Sequence, residues 1–333
     1  MAVFLIALSA FNYLLLTSWA SGRASHSPYT ANNVVTYAYN MYDVLLIFGD
    51  SHTQYAHDPD VDGFVALLAR LYQRQMDVLN RGFSGYNTTG ARRIVHTVLP
   101  LTSRPPSKYS PAGVYRWVSN YTMHALPGIY NRTKTIWPDR DYTFPDKPGQ
   151  MRLCIIFFGT NDATIESSSQ HTPLDQFADN LRYFVSLLND PSSPHYSPTT
   201  KILFITPPPT GDRMVEEKAR LWDHPITTMN NSTKKYADMV RKVANEVDAP
   251  YVDLYARIEA LARRARRATP GTQANATVDF EGYDRYLIDG VHLNGLGNQL
   301  LYNMLRYSIS FHWPELFPDT PPRAVAPWPA KFI

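Results

Sequence analysis

Residues 44–51 read Val-Leu-Leu-Ile-Phe-Gly-Asp-Ser, a run of five apolar residues that ends in a turn. A short continuous apolar run of this kind predicts a strand that is buried on both faces of a parallel sheet. Gly49 allows a sharp turn of the backbone, and a helix can then begin near Ser51. Because open α/β sheets bind their ligands beyond the carboxyl ends of the strands, this serine is a candidate for chemistry. Helix capping by Asp50 and Ser51 explains the same stretch equally well when it is read alone.

Apolar runs of the same kind recur along the chain and alternate with segments of helical periodicity. The further predicted strands lie at residues 77–80, 152–158, 201–206 and 251–254, and the predicted helices at 64–72, 91–99, 174–188, 234–247, 254–267 and 295–311. Nearly all-apolar strands that alternate with helices predict a parallel sheet with helices on both faces. We therefore expect one α/β domain with a central parallel sheet of about five strands.

Composition excludes several classes of protein. The chain has 333 residues and a net charge of only +3, too little to indicate a nucleic-acid partner. Its single cysteine, Cys154, permits neither an intrachain disulfide nor a cysteine-based metal site. Acidic residues at 58, 60 and 62 follow His57, but their spacing does not fit a calcium-binding EF-hand loop. We therefore expect no metal ion.

The amino-terminal segment predicts entry into the secretory pathway. Residues 1–22 are apolar, uncharged as far as Ala20, and end in small residues, which is typical of a signal peptide or an uncleaved membrane anchor. Residues 23–42 form a polar linker. Asn-x-Ser/Thr sequons at Asn87, Asn120, Asn131, Asn230, Asn231 and Asn275 agree with a secreted or luminal glycoprotein. Membrane contact is expected only if the amino-terminal segment stays uncleaved.

The remaining boundaries follow from changes in composition. The main domain spans residues 43–312 and contains an insertion at 100–150 that is rich in Pro, Ser, Tyr and Trp. An insertion of this length either borders the site or forms a surface loop, and the sequence favours neither. Residues 313–333 form a Pro-rich tail that we expect to be extended.

Polar loops follow three successive predicted strands. They contain Asp50 and Ser51, then Gly85, then Asn161 and Asp162. Because parallel strands end at one edge of a sheet, we expect these loops to converge. Asp289 and His292 lie in a late loop, three residues apart, where one turn can present both on the same side.

These residues meet the chemical demands of nucleophilic catalysis by serine. Ser51 needs a base, which His292 can supply, and Asp289 can orient that imidazole. The backbone N–H groups of Ser51 and Gly85 and the side-chain amide of Asn161 can form an oxyanion hole. The chain has no Gly-x-Ser-x-Gly elbow, which argues against an ordinary α/β-hydrolase. His52 adjoins the serine, so its side chain should diverge and line the pocket or face solvent.

Four short motifs resemble, in order and context, the four blocks of the GDSL, or SGNH, hydrolases. They are Gly49-Asp50-Ser51, Gly85, Gly159-x-Asn161-Asp162 and Asp289-x-x-His292. Longer phrases at residues 78–88, 157–163, 205–209 and 289–293 are similar to the isoamyl acetate-hydrolysing esterase branch of that family. The resemblance covers about residues 43–99 and 152–311. His52 departs from it, because a small or apolar residue usually follows the serine.

The resemblance implies a flavodoxin-like three-layer α/β/α sandwich and a Ser51–His292–Asp289 triad, with Ser51, Gly85 and Asn161 as oxyanion donors. It also implies that neither a metal ion nor an organic cofactor takes part. We expect a carboxylic ester hydrolase that cleaves small, short-acyl esters through an acyl-enzyme. A glycan O-deacetylase or a lysophospholipase is the alternative, and a catalytically inactive binding protein is a third. Since some members of the family are intracellular, the cytoplasm is an alternative location. Nothing in the sequence indicates the oligomeric state.

Overall fold

The computed structural model describes residues 42–102, 115–116, 149–223, 225–268 and 282–318. These residues belong to one compact unit. The predicted leader, nearly all of the linker and the insertion, the end of the tail, and the sequons at Asn120, Asn131 and Asn275 lie outside the described residues. Among the helices that are described, none is long and apolar enough to cross a bilayer.

Five parallel strands form the central sheet. In chain order the strands are β1 (Asp43–Gly49), β2 (Met76–Gly82), β3 (Leu101–Thr102), β4 (Tyr115–Arg116), β5 (Met151–Phe157), β6 (Lys201–Ile205) and β7 (Tyr251–Val252). The sheet has the order β2-β1-β5-β6-β7. The short strands β3 and β4 pair with each other in a separate antiparallel sheet. The predicted parallel sheet of about five strands is confirmed, in the flavodoxin-like order.

The topology explains why the site forms at the end of β1. The chain runs from β1 to β2 on one side and then crosses to β5 on the other side, so the strand order reverses at β1. Gly49, the last residue of β1, pairs in register with Gly82 of β2 and with Phe157 of β5. The loops that follow these three strands therefore leave the sheet together, at the switch point where such folds bind ligands.

Helices cover both faces of the sheet. They are α1 (Ser51–Gln54), α2 (Phe64–Leu71), α3 (Thr88–Val98), α4 (Leu174–Asn189), α5 (Asp212–Trp222), α6 (Asn230–Glu246), α7 (Leu254–Ala268) and α8 (Gly295–His312). The sequence analysis does not predict α5. None of its residues is buried, so it lacks the stripe of core residues that marks the other long helices.

Alternate residues of β1 enter two separate cores. Val44, Leu46 and Phe48 pack with residues of α3, α4 and α6, whereas Leu45 and Ile47 pack with residues of α2, α7 and α8. All five side chains are almost completely buried. Burial of such side chains stabilises the fold by roughly 1.5–3 kcal/mol each. This two-sided burial confirms the three-layer α/β/α arrangement.

The short helix α1 is held against the end of β2 by close backbone contact. A Cβ atom on Gly82 would lie 2.0 Å from the backbone nitrogen of Gln54, so only glycine fits at this position. The side-chain amide of Asn80 also donates to the carbonyl oxygen of Thr53 at 2.6 Å. These contacts fix the first turn after β1, which begins with Ser51.

Candidate active site

Ser51 is the first residue of α1 and is held by its neighbour in sequence. The side chain of Asp50 caps the helix, and its Oδ1 accepts a hydrogen bond from the backbone N–H of His52 at 2.9 Å. Only 4% of Ser51 is exposed. Its Oγ nevertheless lies 2.9 Å from Nε2 of His292, a residue 241 positions away in the chain.

Asp289 orients the imidazole of His292 through one tight turn. Its Oδ2 lies 2.9 Å from Nδ1 of His292, and its Oδ1 accepts from the backbone N–H groups of Val291 and His292. With the proton on Nδ1, the free Nε2 accepts from the Ser51 hydroxyl. The structure therefore brings together the serine, histidine and aspartate that the sequence singles out, in the relative order that a catalytic triad requires.

Lys218, which sequence analysis did not single out, is a second partner of Asp289. Its Nζ donates to the same Oδ2 at 2.9 Å from the surface helix α5. Burial alone would raise the pKa of Asp289, but hydrogen bonds from His292 and Lys218 outweigh it and hold the pKa well below its ordinary value. Asp289 is therefore ionised at neutral pH.

The three candidate oxyanion donors lie at the ends of neighbouring strands. Gly85 has a φ of +80°, a left-handed conformation that favours glycine. The side-chain amide of Asn161 donates one hydrogen to the carbonyl oxygen of Tyr86 at 2.9 Å. Its second N–H, with the backbone amides of Ser51 and Gly85, has no acceptor among the described residues. Three unpaired donors on loops that converge near one serine suit a developing oxyanion.

Comparison with known proteins identifies the family. The sequence profile of the GDSL-like lipase/acylhydrolase family matches residues 47–300, about three quarters of the chain. The chain belongs to this family. It is therefore an ester-bond hydrolase, as the sequence motifs predict.

Named relatives of this GDSL-like hydrolase are esterases. It is 28% identical to the mouse isoamyl acetate-hydrolyzing esterase 1 homolog, over 78% of each chain. It is 26% identical to the isoamyl acetate-hydrolyzing esterase of Saccharomyces cerevisiae, over 86% of this chain and 94% of that one. The predicted resemblance to the isoamyl acetate-hydrolysing branch is confirmed at this level. An acetylxylan esterase structure from Geobacillus stearothermophilus aligns with a TM-score of 0.43 and 17% identity, over 81% of this chain and 95% of that one.

Gln170 joins two of the candidate oxyanion donors in this GDSL-like hydrolase. Its Nε2 donates to the carbonyl oxygen of Gly85 at 2.9 Å and to Oδ1 of Asn161 at 3.3 Å. A donor at Oδ1 holds the Asn161 amide with its NH₂ group toward the carbonyl oxygen of Tyr86. Sequence reasoning missed Gln170 because it lies in an irregular loop before α4, with no motif or periodicity to mark it.

Replacing Gln170 with methionine should lower kcat for a small ester by about tenfold and change KM little, because the donors would lose their alignment in the transition state. The measurement is steady-state hydrolysis of p-nitrophenyl acetate. Gln176→Met is a matched control, since Gln176 is exposed on α4 and, among the described residues, its amide bonds only to the Thr89 hydroxyl. Equal kcat values for the two variants would show that Gln170 does not align the donors.

His52 lies beneath the candidate triad and does not face solvent. Only 4% of it is exposed, and its ring packs 5.4 Å from the His292 ring and 5.3 Å from the Phe157 ring, centroid to centroid. Burial, and secondarily the nearby imidazole, lowers the pKa of His52 to about 3. His52 is therefore uncharged at neutral pH, and His292 packs against a neutral ring. The expectation that it might face solvent is wrong, because the turn of α1 directs it into the core.

Asp162 connects the loop after β5 to the start of α3. Its Oδ1 accepts from the backbone N–H of Thr88 at 2.8 Å and from the Thr88 hydroxyl at 2.6 Å. Burial raises the pKa of Asp162 to about 6 and that of Asp50 to about 7. Both carboxyl groups lie in the core beside the candidate site, where they fix loops that carry its residues.

The acidic residues that follow His57 serve local structure. Oδ1 of Asp58 accepts from the backbone N–H of Asp60 at 2.9 Å, and Oδ2 of Asp62 accepts from the side chain of Gln299 at 2.6 Å. Across the described part of the chain, no three His, Cys, Asp or Glu side chains gather as metal ligands would.

Proposed function

We propose that this GDSL-like hydrolase is a serine carboxylic ester hydrolase that cleaves small esters with short acyl groups through an acyl-enzyme. One observation carries the proposal. The Ser51 hydroxyl lies 2.9 Å from the imidazole of His292, whose other nitrogen lies 2.9 Å from the Asp289 carboxylate. Unpaired N–H donors lie on the neighbouring loops. This arrangement supports nucleophilic attack by serine with general-base assistance.

Acylation begins when Ser51 Oγ attacks the ester carbonyl carbon and Nε2 of His292 takes the hydroxyl proton. The carbonyl oxygen becomes an oxyanion, which accepts from the backbone amides of Ser51 and Gly85 and the side-chain amide of Asn161. When the intermediate collapses, the bond between the carbonyl carbon and the alcohol oxygen breaks. His292 gives its proton to the departing alkoxide, and the acyl group stays on Ser51.

Deacylation repeats these steps with water as the nucleophile. His292 takes a proton from water as the water oxygen attacks the acyl carbon, and the same donors hold the second oxyanion. The bond to Oγ then breaks, Ser51 recovers its proton from His292, and the carboxylic acid leaves. Asp289 stays ionised and stabilises the imidazolium in both halves of the reaction.

A short acyl group is supported by the names of the relatives, two of which refer to isoamyl acetate. The partner is therefore a small-molecule ester. Aromatic residues of the insertion such as Tyr115, Trp117 and Tyr121 suit stacking on a sugar, but their side chains are not among those described. A glycan O-deacetylase and a lysophospholipase are accordingly outcomes of the test below.

A fluorophosphonate probe and a panel of esters test the proposal together. We expect the probe to modify Ser51, located by mass spectrometry of the labelled peptide. We also expect kcat/KM for p-nitrophenyl esters to be highest for acetate and to fall as the acyl chain lengthens to decanoate. A preference for acetylated oligosaccharides would identify a glycan O-deacetylase, and a preference for lysophosphatidylcholine a lysophospholipase. Either result would contradict the proposed substrate class and leave the proposed mechanism unchanged. Failure of the folded protein to label or to turn over any ester would favour the inactive binding protein.

A further inference from the structure

A cavity of about 420 Å³ opens beside the candidate oxyanion hole. Gly85, Gln170 and Arg93 of α3 are among the residues that line it. Gln170 is the residue that bonds to both Gly85 and Asn161. The cavity therefore borders the loop that carries one of the candidate oxyanion donors.

Arg93 brings a positive charge to this cavity. The residue is exposed, and its guanidinium makes no hydrogen bond or ion pair with the described residues. None of the described residues that line the cavity is acidic. An arginine in such surroundings suits a planar anion, which its fork of donors can bind through two parallel hydrogen bonds.

Arg92, the preceding residue, differs from Arg93 because its guanidinium has partners on the neighbouring helix α4. Arg92 donates to Oδ1 of Asn180 at 3.1 Å, and its guanidinium lies 4.0 Å above the ring of Tyr183. Arg92 thus packs on α4, whereas Arg93 points its side chain to the cavity. The two arginines lie next to each other on α3, but only Arg92 has hydrogen-bond and ring partners among the described residues.

We propose that this cavity is a subsite for an anionic group, a carboxylate or a phosphate, carried by the substrate ester. The inference deepens the proposed esterase function and depends on it. Arg93 would pair with the anion while the ester carbonyl lies among the donors near Ser51. Asn87 and Thr89 add uncharged polar groups to the same wall. The favoured substrate would then be an ester of a hydroxy acid or phosphorylated alcohol, or a monoester of a dicarboxylic acid.

Two pairs of esters test the subsite on the full chain and show which side of the ester enters it. The acyl pair is p-nitrophenyl hydrogen adipate and its uncharged methyl ester. The alcohol pair is meta-acetoxybenzoate and its methyl ester. We expect kcat/KM for the anionic member of at least one pair to exceed that of the neutral member by about fivefold, the range of a well-formed but solvent-accessible ion pair.

The variant Arg93→Gln should remove that preference and bring the ratio close to one. Arg92→Gln is the matched control and should keep the wild-type ratio, since Arg92 lies against Asn180 and Tyr183. Wild-type ratios near one in both pairs, or a ratio that survives in Arg93→Gln, would overturn the subsite while leaving the esterase standing. If none of the four esters is hydrolysed while p-nitrophenyl acetate is, the subsite fails and the esterase stands. If p-nitrophenyl acetate is not hydrolysed either, both proposals fail.

Discussion

Replacing Ser51 with alanine should reduce kcat for p-nitrophenyl acetate by at least about 10⁴-fold, because the acyl-enzyme can no longer form. The expected loss is large because Ser51 Oγ is the only protein atom that bonds to the substrate carbon in the proposed mechanism. Its 2.9 Å contact with His292 would also disappear. The donors of the oxyanion hole would remain, so weak residual hydrolysis above the rate in water is compatible with the proposal.

Ser84→Ala is the matched control for this variant. Ser84 lies one residue before Gly85, is exposed, and bonds to the Tyr55 hydroxyl at 3.1 Å. The control should keep most of the activity, and both variants should melt within about 2 °C of the wild type. Full activity in a folded Ser51→Ala protein, or loss of activity only in Ser84→Ala, would remove Ser51 from the role of nucleophile.

Replacing Asp289 with asparagine should lower kcat by about 10³–10⁴-fold and change KM little. The carboxylate has two functions that an amide cannot perform together. It accepts from Nδ1 of His292, which leaves Nε2 free as the base, and it stabilises the imidazolium that forms during each proton transfer. An asparagine that turns its NH₂ group to Nδ1 would favour the wrong tautomer of His292.

Two control variants separate orientation of the base from general effects of charge. Asp284→Asn removes an exposed carboxylate from the same loop and should leave kcat nearly unchanged. Lys218→Met removes the second partner of Asp289 and should change kcat by no more than about threefold, since ion pairs of an exposed lysine are weak. An Asp289→Asn enzyme as active as Asp284→Asn would contradict the assignment of Asp289.

Much of the fold could be predicted from sequence because its strands are buried on both faces. A continuous apolar run as short as that of β1 is typical of a buried strand and not of a helix. In a parallel sheet the loops that follow the strands then share one edge. This geometric rule brings Ser51, Gly85 and Asn161 together although they are distant in sequence. Spacing alone relates His292 only to Asp289, so the predicted pairing of His292 with Ser51 followed from the need of a serine nucleophile for a base, and the family resemblance supported it.

The sequence could not reveal residues that contact the site from irregular or exposed segments. Gln170 lies in a loop without periodicity, and Lys218 lies on α5, a helix with no buried residue. Periodicity reports which residues face a core, and it is silent about which surface side chain turns toward an active centre. The burial of His52 was missed for the same reason, because a single turn of helix has too few residues to show a period.

The ion pair between Lys218 and Asp289 makes the candidate site sensitive to the ionic strength of the solution. The lysine side chain is 52% exposed and the histidine side chain 34%, so dissolved ions screen the Lys218–Asp289 pair more than the His292–Asp289 pair. Added salt therefore weakens the contact with Lys218 more than the contact with His292. Ionic strength would then act on Asp289 through a surface helix that takes no part in the chemistry.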